Sequence, residues 1–198
     1  MYKTNTPVIL ASASPRRREL LSLLGICFEI LPSPAEEPAP DEGERPAAYA
    51  ARMARLKAAA VAVLRPEAVV LGADSIVAVG GVILGKPADA ADAQRMLSAI
   101  SGRAHHVITG CAVFAPNREP EIFTVATEVI MTDIPEPVIH AYVATGEPLD
   151  KAGAYAVQGK AAAFVTAING SYTNVVGLPL AEVLRTLRQG GIVTVAEG

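Results

Sequence analysis

The sequence predicts an α/β fold, on three observations. Short apolar runs of strand length lead straight into helical patterns, as residues 8–11 do into the segment that starts at Pro15. The longest such run, residues 69–79, lacks the polar alternation of a half-exposed strand and reads as a strand covered on both faces. Clusters of Gly, Pro and Ser punctuate the chain between these segments. Hydrophobic residues make up 51% of the 198 and charged ones 19%, and no apolar run approaches the roughly 18 residues of a spanning helix. These numbers point to a soluble globular protein with no membrane partner, long enough for one large domain or two closely packed lobes.

The stretch Leu10-Ala11-Ser12-Ala13-Ser14-Pro15-Arg16-Arg17-Arg18 is the most informative. Pro15 suits the first helical position, where its missing N–H costs nothing, and Ser14 is the N-cap candidate. Backbone N–H groups, two hydroxyls and three guanidiniums then gather at one helix N-terminus. The helix dipole disfavours cations there, so the run asks for a counter-anion; a plain capped helix with a solvated basic turn is the alternative.

The opening helix is expected to end at Gly25, and residues 27–31 read as a second strand. A proline-stiffened loop follows over residues 32–40, then a helix over Pro46–Leu64 whose charges, Arg52, Arg55 and Lys57 among them, mostly face solvent. Asp74 interrupts the apolar strand Val69–Val79. An unpaired carboxylate is costly to bury, so Asp74 either faces an open site or pairs with a cation. Gly80-Gly81 turns the chain into a short return strand, which leaves Lys86 near its end.

Residues 89–100 form an amphipathic helix closed by Ser101-Gly102. His105 and His106 open the next strand and point to opposite faces, which argues against a histidine metal site. Residues 107–114 and 121–132 pair as neighbours, and residues 135–145 form a surface helix. Small residues crowd Asp150-Lys151-Ala152-Gly153-Ala154-Tyr155-Ala156-Val157-Gln158-Gly159, which fits either tight packing or close approach of a ligand. Residues 173–180 are expected to enter a last helix that runs to about Leu187, with a frayed tail from Gln189.

Cys27 and Cys111 lie in apolar surroundings with neither zinc nor disulfide spacing, and read as buried thiols. The net charge of −3 argues against a nucleic-acid partner. The first residues show no secretory pattern, which makes the cytoplasm the expected compartment.

Taken together, Leu10 to Arg17, Ala54-Arg55-Leu56-Lys57-Ala58, Gly72-Ala73-Asp74-Ser75, Gly85-Lys86-Pro87, Asp150 to Gly159, Asn169-Gly170-Ser171-Tyr172 and Val175-Val176-Gly177-Leu178-Pro179 resemble the Maf family of nucleoside triphosphate pyrophosphatases over nearly the whole chain. The resemblance implies a single Maf-like domain over residues 1–198 with an inosine triphosphatase-like (Maf/Ham1) fold. That fold is α/β, a long mixed β-sheet spanning two lobes with flanking helices and a central nucleotide-binding cleft. A homodimer is the assembly it implies. Arg16, a hydroxyl at Ser75 and Gln158 resemble the subgroup that takes dTTP and UTP, although the family usually carries Thr where this chain has Ser75.

The reaction so implied cleaves between the α- and β-phosphates, which requires neutralising about four negative charges and activating a water. Ser12, Ser14, Arg16, Arg17, Lys57 and Lys86 supply hydroxyls and positive charge. A divalent cation, Mg²⁺ first and Mn²⁺ or Co²⁺ next, fits Glu37 and Asp74 as oxygen ligands. The resemblance makes Asp74 the general base, with metal contact either direct or through water. The Gln158 amide carries a donor and an acceptor that match the O4 and N3–H of uracil or thymine. Two other readings stand beside this one: a non-catalytic nucleotide-sensing regulator of cell division, and the same hydrolysis with another base preference. A carboxylate near phosphates has no use in a pure binding site unless metal or water is involved, which weighs against the first.

Overall fold

A computed structural model describes residues 1–196 as a mixed α/β structure. In chain order the elements are β1 (Tyr2–Thr4), β2 (Val8–Leu10), α1 (Pro15–Ser22), β3 (Glu29–Ile30), α2 (Pro46–Leu64), β4 (Val69–Val79), β5 (Val82–Leu84) and α3 (Ala90–Ile100). Then follow β6 (Ala104–Phe114), β7 (Glu121–Met131), α4 (Glu136–Ala144), three short 3₁₀ turns, β8 (Val165–Asn169), α5 (Tyr172–Val176), α6 (Leu180–Gln189) and β9 (Val193–Val195). Seven strands form one sheet in the order β3-β2-β4-β6-β7-β8, with β5 paired to β4. The sheet is mixed: β2 runs parallel to both β3 and β4, whereas β4/β5 and β7/β8 are antiparallel.

The chain divides into two compact units, one of Met1–Asp74, Thr109–Val125 and Gly177–Gly198, the other of Ser75–Ile108 and Ala126–Val176. In the first, Ile9, Ala11, Val70 and Ala112 of the strands pack with Ala54, Ala58 and Val61 of α2. Glycine governs this contact. A Cβ on Gly72 would lie 2.7 Å from the Ala54 carbonyl oxygen, and one on Gly110 would lie 2.2 Å from that of Ala50. Ala50, Ala54 and Ala58 repeat every four residues, so a stripe of small side chains on α2 meets strand positions with no side chain at all. The second unit is packed conventionally by large residues, among them Met96, Leu97 and Ile100 of α3, Val129 of β7, and Ile139 and Tyr142 of α4.

Five sequence expectations need correction. The strand expected at residues 27–31 is confined to Glu29–Ile30, both exposed, and Cys27 is exposed while Cys111 is buried. The expected last helix is two helices: Gly177 takes φ 135 and Pro179 cannot donate to a preceding turn, so α5 stops at Val176 and α6 starts afresh at Leu180. From Gln189 to Ala196 the tail is not frayed, because β9 pairs antiparallel with β1 and Val193 is fully buried; Glu197 and Gly198 lie outside the described residues. Its β-branched Ile192-Val193-Thr194-Val195 run gives the chain end a strand to form and a core to cover. Finally, Lys57 does not face solvent; the site accounts for it. No described helix is long and apolar enough to cross a membrane.

Candidate functional site

The turn between β2 and α1 forms as its residues dictate. Ser14 is extended and its Oγ accepts from the Arg17 N–H at 3.5 Å, with Pro15 opening the helix. Ser12, buried, accepts from the Ser14 N–H at 3.2 Å and from Arg17 Nη1 at 3.4 Å. Arg17 Nε donates to the Gly177 carbonyl at 2.9 Å, so the break between α5 and α6 supplies an acceptor that aims this guanidinium. Burial pulls the Arg17 pKa below its ordinary value, while the carboxylate of Asp74 and, less strongly, that of Glu37 pull it up. Arg16 is half-buried and Arg18 exposed. Nearby burial pushes the Cys111 thiol up to about 12, which makes it an inert packing group rather than a nucleophile.

The close approach of α2 to Gly72 determines what happens two residues further along the same strand face. Lys57 reaches Asp74, its Nζ donating to Oδ1 at 2.7 Å, and contacts Glu37 Oε2 at 2.8 Å. Asp74 is 8% exposed, so the ammonium offsets a carboxylate that could not otherwise be kept there. Glu37 arrives because the proline-rich loop is tied to α2: Tyr49 Oη donates to the Pro38 carbonyl at 3.2 Å, and Arg52 binds Glu44 through Nε at 2.8 Å and lies over the Tyr49 ring. Two carboxylates thus converge on one cation, with Asp74 Oδ2 lacking a partner among the described residues. That all-oxygen pair fits Mg²⁺, which takes one or two carboxylates and fills its remaining positions with phosphate oxygens and water. No group of three or more His, Cys, Asp or Glu ligands occurs among the described residues.

Ser75, Lys86 and Gln158 belong to the second unit. Ser75 is half-buried on β4, and Lys86 is exposed just after β5. Two of the motif strings meet here, since the Gly153 N–H donates to the Gly85 carbonyl at 3.0 Å. Gly153 takes φ 68, and a Cβ on it would lie 2.7 Å from Val77 Cγ2. Gln158 is exposed in the turn that follows. His105 turns inward and His106 outward, as strand alternation requires; His105 Nε2 and Tyr155 Oη are 2.8 Å apart in the core.

Sequence reasoning missed three contributors. The Gly177 carbonyl acts through its backbone, and only the glycine in Val-Val-Gly-Leu-Pro hinted at an unusual conformation there. Tyr142 and Glu147, which hold the chain around Gln158, sit on a surface helix and a loop with no local pattern to mark them.

The model of the Maf-like protein family matches residues 7–190. The dTTP/UTP pyrophosphatase of Nitratidesulfovibrio vulgaris is 50% identical over 187 residues, covering 94% of this chain and 89% of that protein. The dTTP/UTP pyrophosphatase of Geobacter sulfurreducens is 52% identical over 186 residues, covering 93% and 96%. Among solved structures, the Ham1 protein of Staphylococcus aureus shares the fold, with a TM-score of 0.54 at 14% identity over 93% of this chain and 99% of that one.

Proposed function

This chain belongs to the Maf-like family, and from that premise we propose that it hydrolyses dTTP and UTP to the monophosphate and pyrophosphate. The observation that carries the reading is Lys57 held between Glu37 and Asp74, in the same unit as the Ser14-capped turn and Arg17. Pure anion binding has no need of two carboxylates, whereas phosphoryl transfer to water needs a base and a cation.

In this mechanism the Arg16 and Arg17 side chains and the Arg16 N–H at the start of α1 hold the phosphates, with Ser12 orienting Arg17. Lys57 fixes Asp74 through Oδ1, and Oδ2 takes a proton from the water that attacks the α-phosphorus. The new bond is water oxygen to α-phosphorus. The bond to the bridging oxygen breaks, and its electron pair leaves with pyrophosphate, whose charge Arg17 and Lys86 offset. Glu37 and Asp74 would hold a divalent cation, Mg²⁺ with Mn²⁺ or Co²⁺ as substitutes, which would supply charge neutralisation on the phosphates. Gln158 reads the pyrimidine edge, with Arg16 and Ser75 also setting base preference. The family resemblance supports the cytoplasm as the compartment of this reaction and a homodimer as its assembly.

A turnover panel of purine and pyrimidine triphosphates with Mg²⁺, scoring pyrophosphate against orthophosphate, tests the reading. Pyrophosphate from UTP and dTTP is expected. Orthophosphate alone moves the chemistry to the terminal phosphate and overturns it.

A further inference from the structure

The turn that carries Gln158 is held from both sides by one phenol–carboxylate pair. The Ala156 N–H donates to Tyr142 Oη at 3.4 Å; Tyr142 Oη in turn donates to Glu147 Oε1 at 2.9 Å. On the far side of Gln158, the Lys160 N–H donates to Glu147 Oε1 at 2.9 Å and lies 3.2 Å from Oε2. Between those anchors the Gly159 N–H closes the turn onto the Ala156 carbonyl at 2.9 Å. Gly159 is required by the same arrangement, because a Cβ there would lie 2.2 Å from Glu147 Oε1.

The pair is rigid at its own base. Tyr142 is buried, its ring meets Phe164 edge-on at a centroid distance of 5.5 Å, and burial followed by the bond to Glu147 pushes the phenol pKa up. The hydroxyl therefore stays protonated and keeps donating. Glu147 follows Gly146, whose φ of 76 turns the chain out of α4 and sends the carboxylate back under the turn. The Gln158 side chain, by contrast, is exposed. A flexible amide on a free loop would lose rotational and backbone freedom on each binding event, and pre-ordering of the loop removes part of that cost.

We propose that Glu147 and Tyr142 are specificity-positioning residues: acting through the Ala156 and Lys160 N–H groups, they present the Gln158 amide to the base of the nucleotide. The inference rests on the reading of Gln158 as the group that recognises the pyrimidine. Neither residue is among the groups assigned to the phosphates, so their loss is expected to change which base is accepted rather than the chemical step.

The test measures kcat and KM for UTP and for a purine triphosphate in four proteins: wild type, Glu147→Gln, Tyr142→Phe and Gln158→Ala, with the double variants on the Gln158→Ala background. Glu147→Gln keeps the shape but replaces an acceptor oxygen with a donor, and Tyr142→Phe keeps the ring against Phe164 while removing the hydroxyl. Each is expected to raise KM for UTP about tenfold with kcat nearly unchanged, lowering the pyrimidine-to-purine ratio of kcat/KM by a similar factor. On the Gln158→Ala background neither is expected to lower that ratio further. A ratio unchanged by both variants while Gln158→Ala lowers it overturns the inference and leaves the base-reading role standing. An unchanged ratio in Gln158→Ala itself overturns both. Equal loss of kcat for every base, or an undiminished second loss on the Gln158→Ala background, reduces Glu147 and Tyr142 to general scaffolding and overturns the inference as well.

Discussion

The two units differ in whether they bury charge. In the first, a carboxylate is buried beside the neutral Ser12, Thr109 and Thr186: Asp74 pairs with Lys57, and the half-buried Arg17 donates to the Gly177 carbonyl and the Ser12 hydroxyl. In the second the buried polar groups are largely neutral, with His105 against Tyr155 and Tyr142 donating to Glu147. Packing follows the same division. Close backbone contact at Gly72 and Gly110 brings charge to its place in the first unit, while aromatic and branched aliphatic side chains fill the second. Charged chemistry on a polyphosphate needs groups whose positions scarcely move, and backbone-on-backbone contact provides that. In the second unit the Tyr142–Glu147 bracket holds the backbone on both sides of Gln158 by directional hydrogen bonds.

The sharpest way to break this contrast is Asp74→Asn. Loss of the base should lower pyrophosphate release by about 10³-fold while nucleotide binding, followed by calorimetry, survives. Undiminished turnover would remove the reaction from the first unit. A smaller effect separates the two packing styles. Gly110→Ala places a methyl 2.2 Å from the Ala50 carbonyl and should cost about 3 kcal/mol, whereas Gly85→Ala, with nothing within 4 Å of its Cβ, should cost under about 0.5 kcal/mol. Equal melting temperatures for the two variants would show that α2 is free to move away from the sheet.

The smallest effect lies in the pH dependence of the second unit. Burial, with His106 adding to it, pulls the His105 pKa from 6.5 down to about 4. The unfolded chain therefore binds the extra proton first as pH falls. The stability due to a neutral buried His105 is complete above about pH 6.5 and is lost progressively as the pH drops toward 4. Thermal melts of wild type and His105→Gln across that window should converge toward the acid end. Parallel melting curves would mean that His105 carries no such linkage.

Much of this was legible in the sequence because it is local. Ser14-Pro15 states a helix start by its own stereochemistry, Val69–Val79 states a strand covered on both faces, and the spacing of Gly80-Gly81 states a turn. Asp74 stands out as a carboxylate in an apolar run, and desolvation cost leaves it either an open site to face or a cation to pair with; the structure supplies Lys57. Lys57 was less readable. Helical spacing puts it near the edge of the apolar face, and only the approach of α2 to Gly72 turned it inward. The chain end departs from expectation for the reverse reason, since four β-branched residues near a terminus form a strand only when a partner such as β1 is present to pair with them.

By itself, then, the sequence determined the opening helix, the long α2, the covered strand β4 and its turn, the anion-seeking turn at Ser12 to Arg17, the misfit of Asp74 and the family to which the chain belongs, because each depends on neighbours along the chain or on motifs in fixed order. Tertiary structure alone decided that one ammonium joins Glu37 to Asp74, that the Gly177 carbonyl aims Arg17, and that Glu147 and Tyr142 brace the turn around Gln158. Those contacts join residues brought together by packing and backbone hydrogen bonds, several of them through main-chain atoms that every residue carries, so residue type and spacing leave no trace of them.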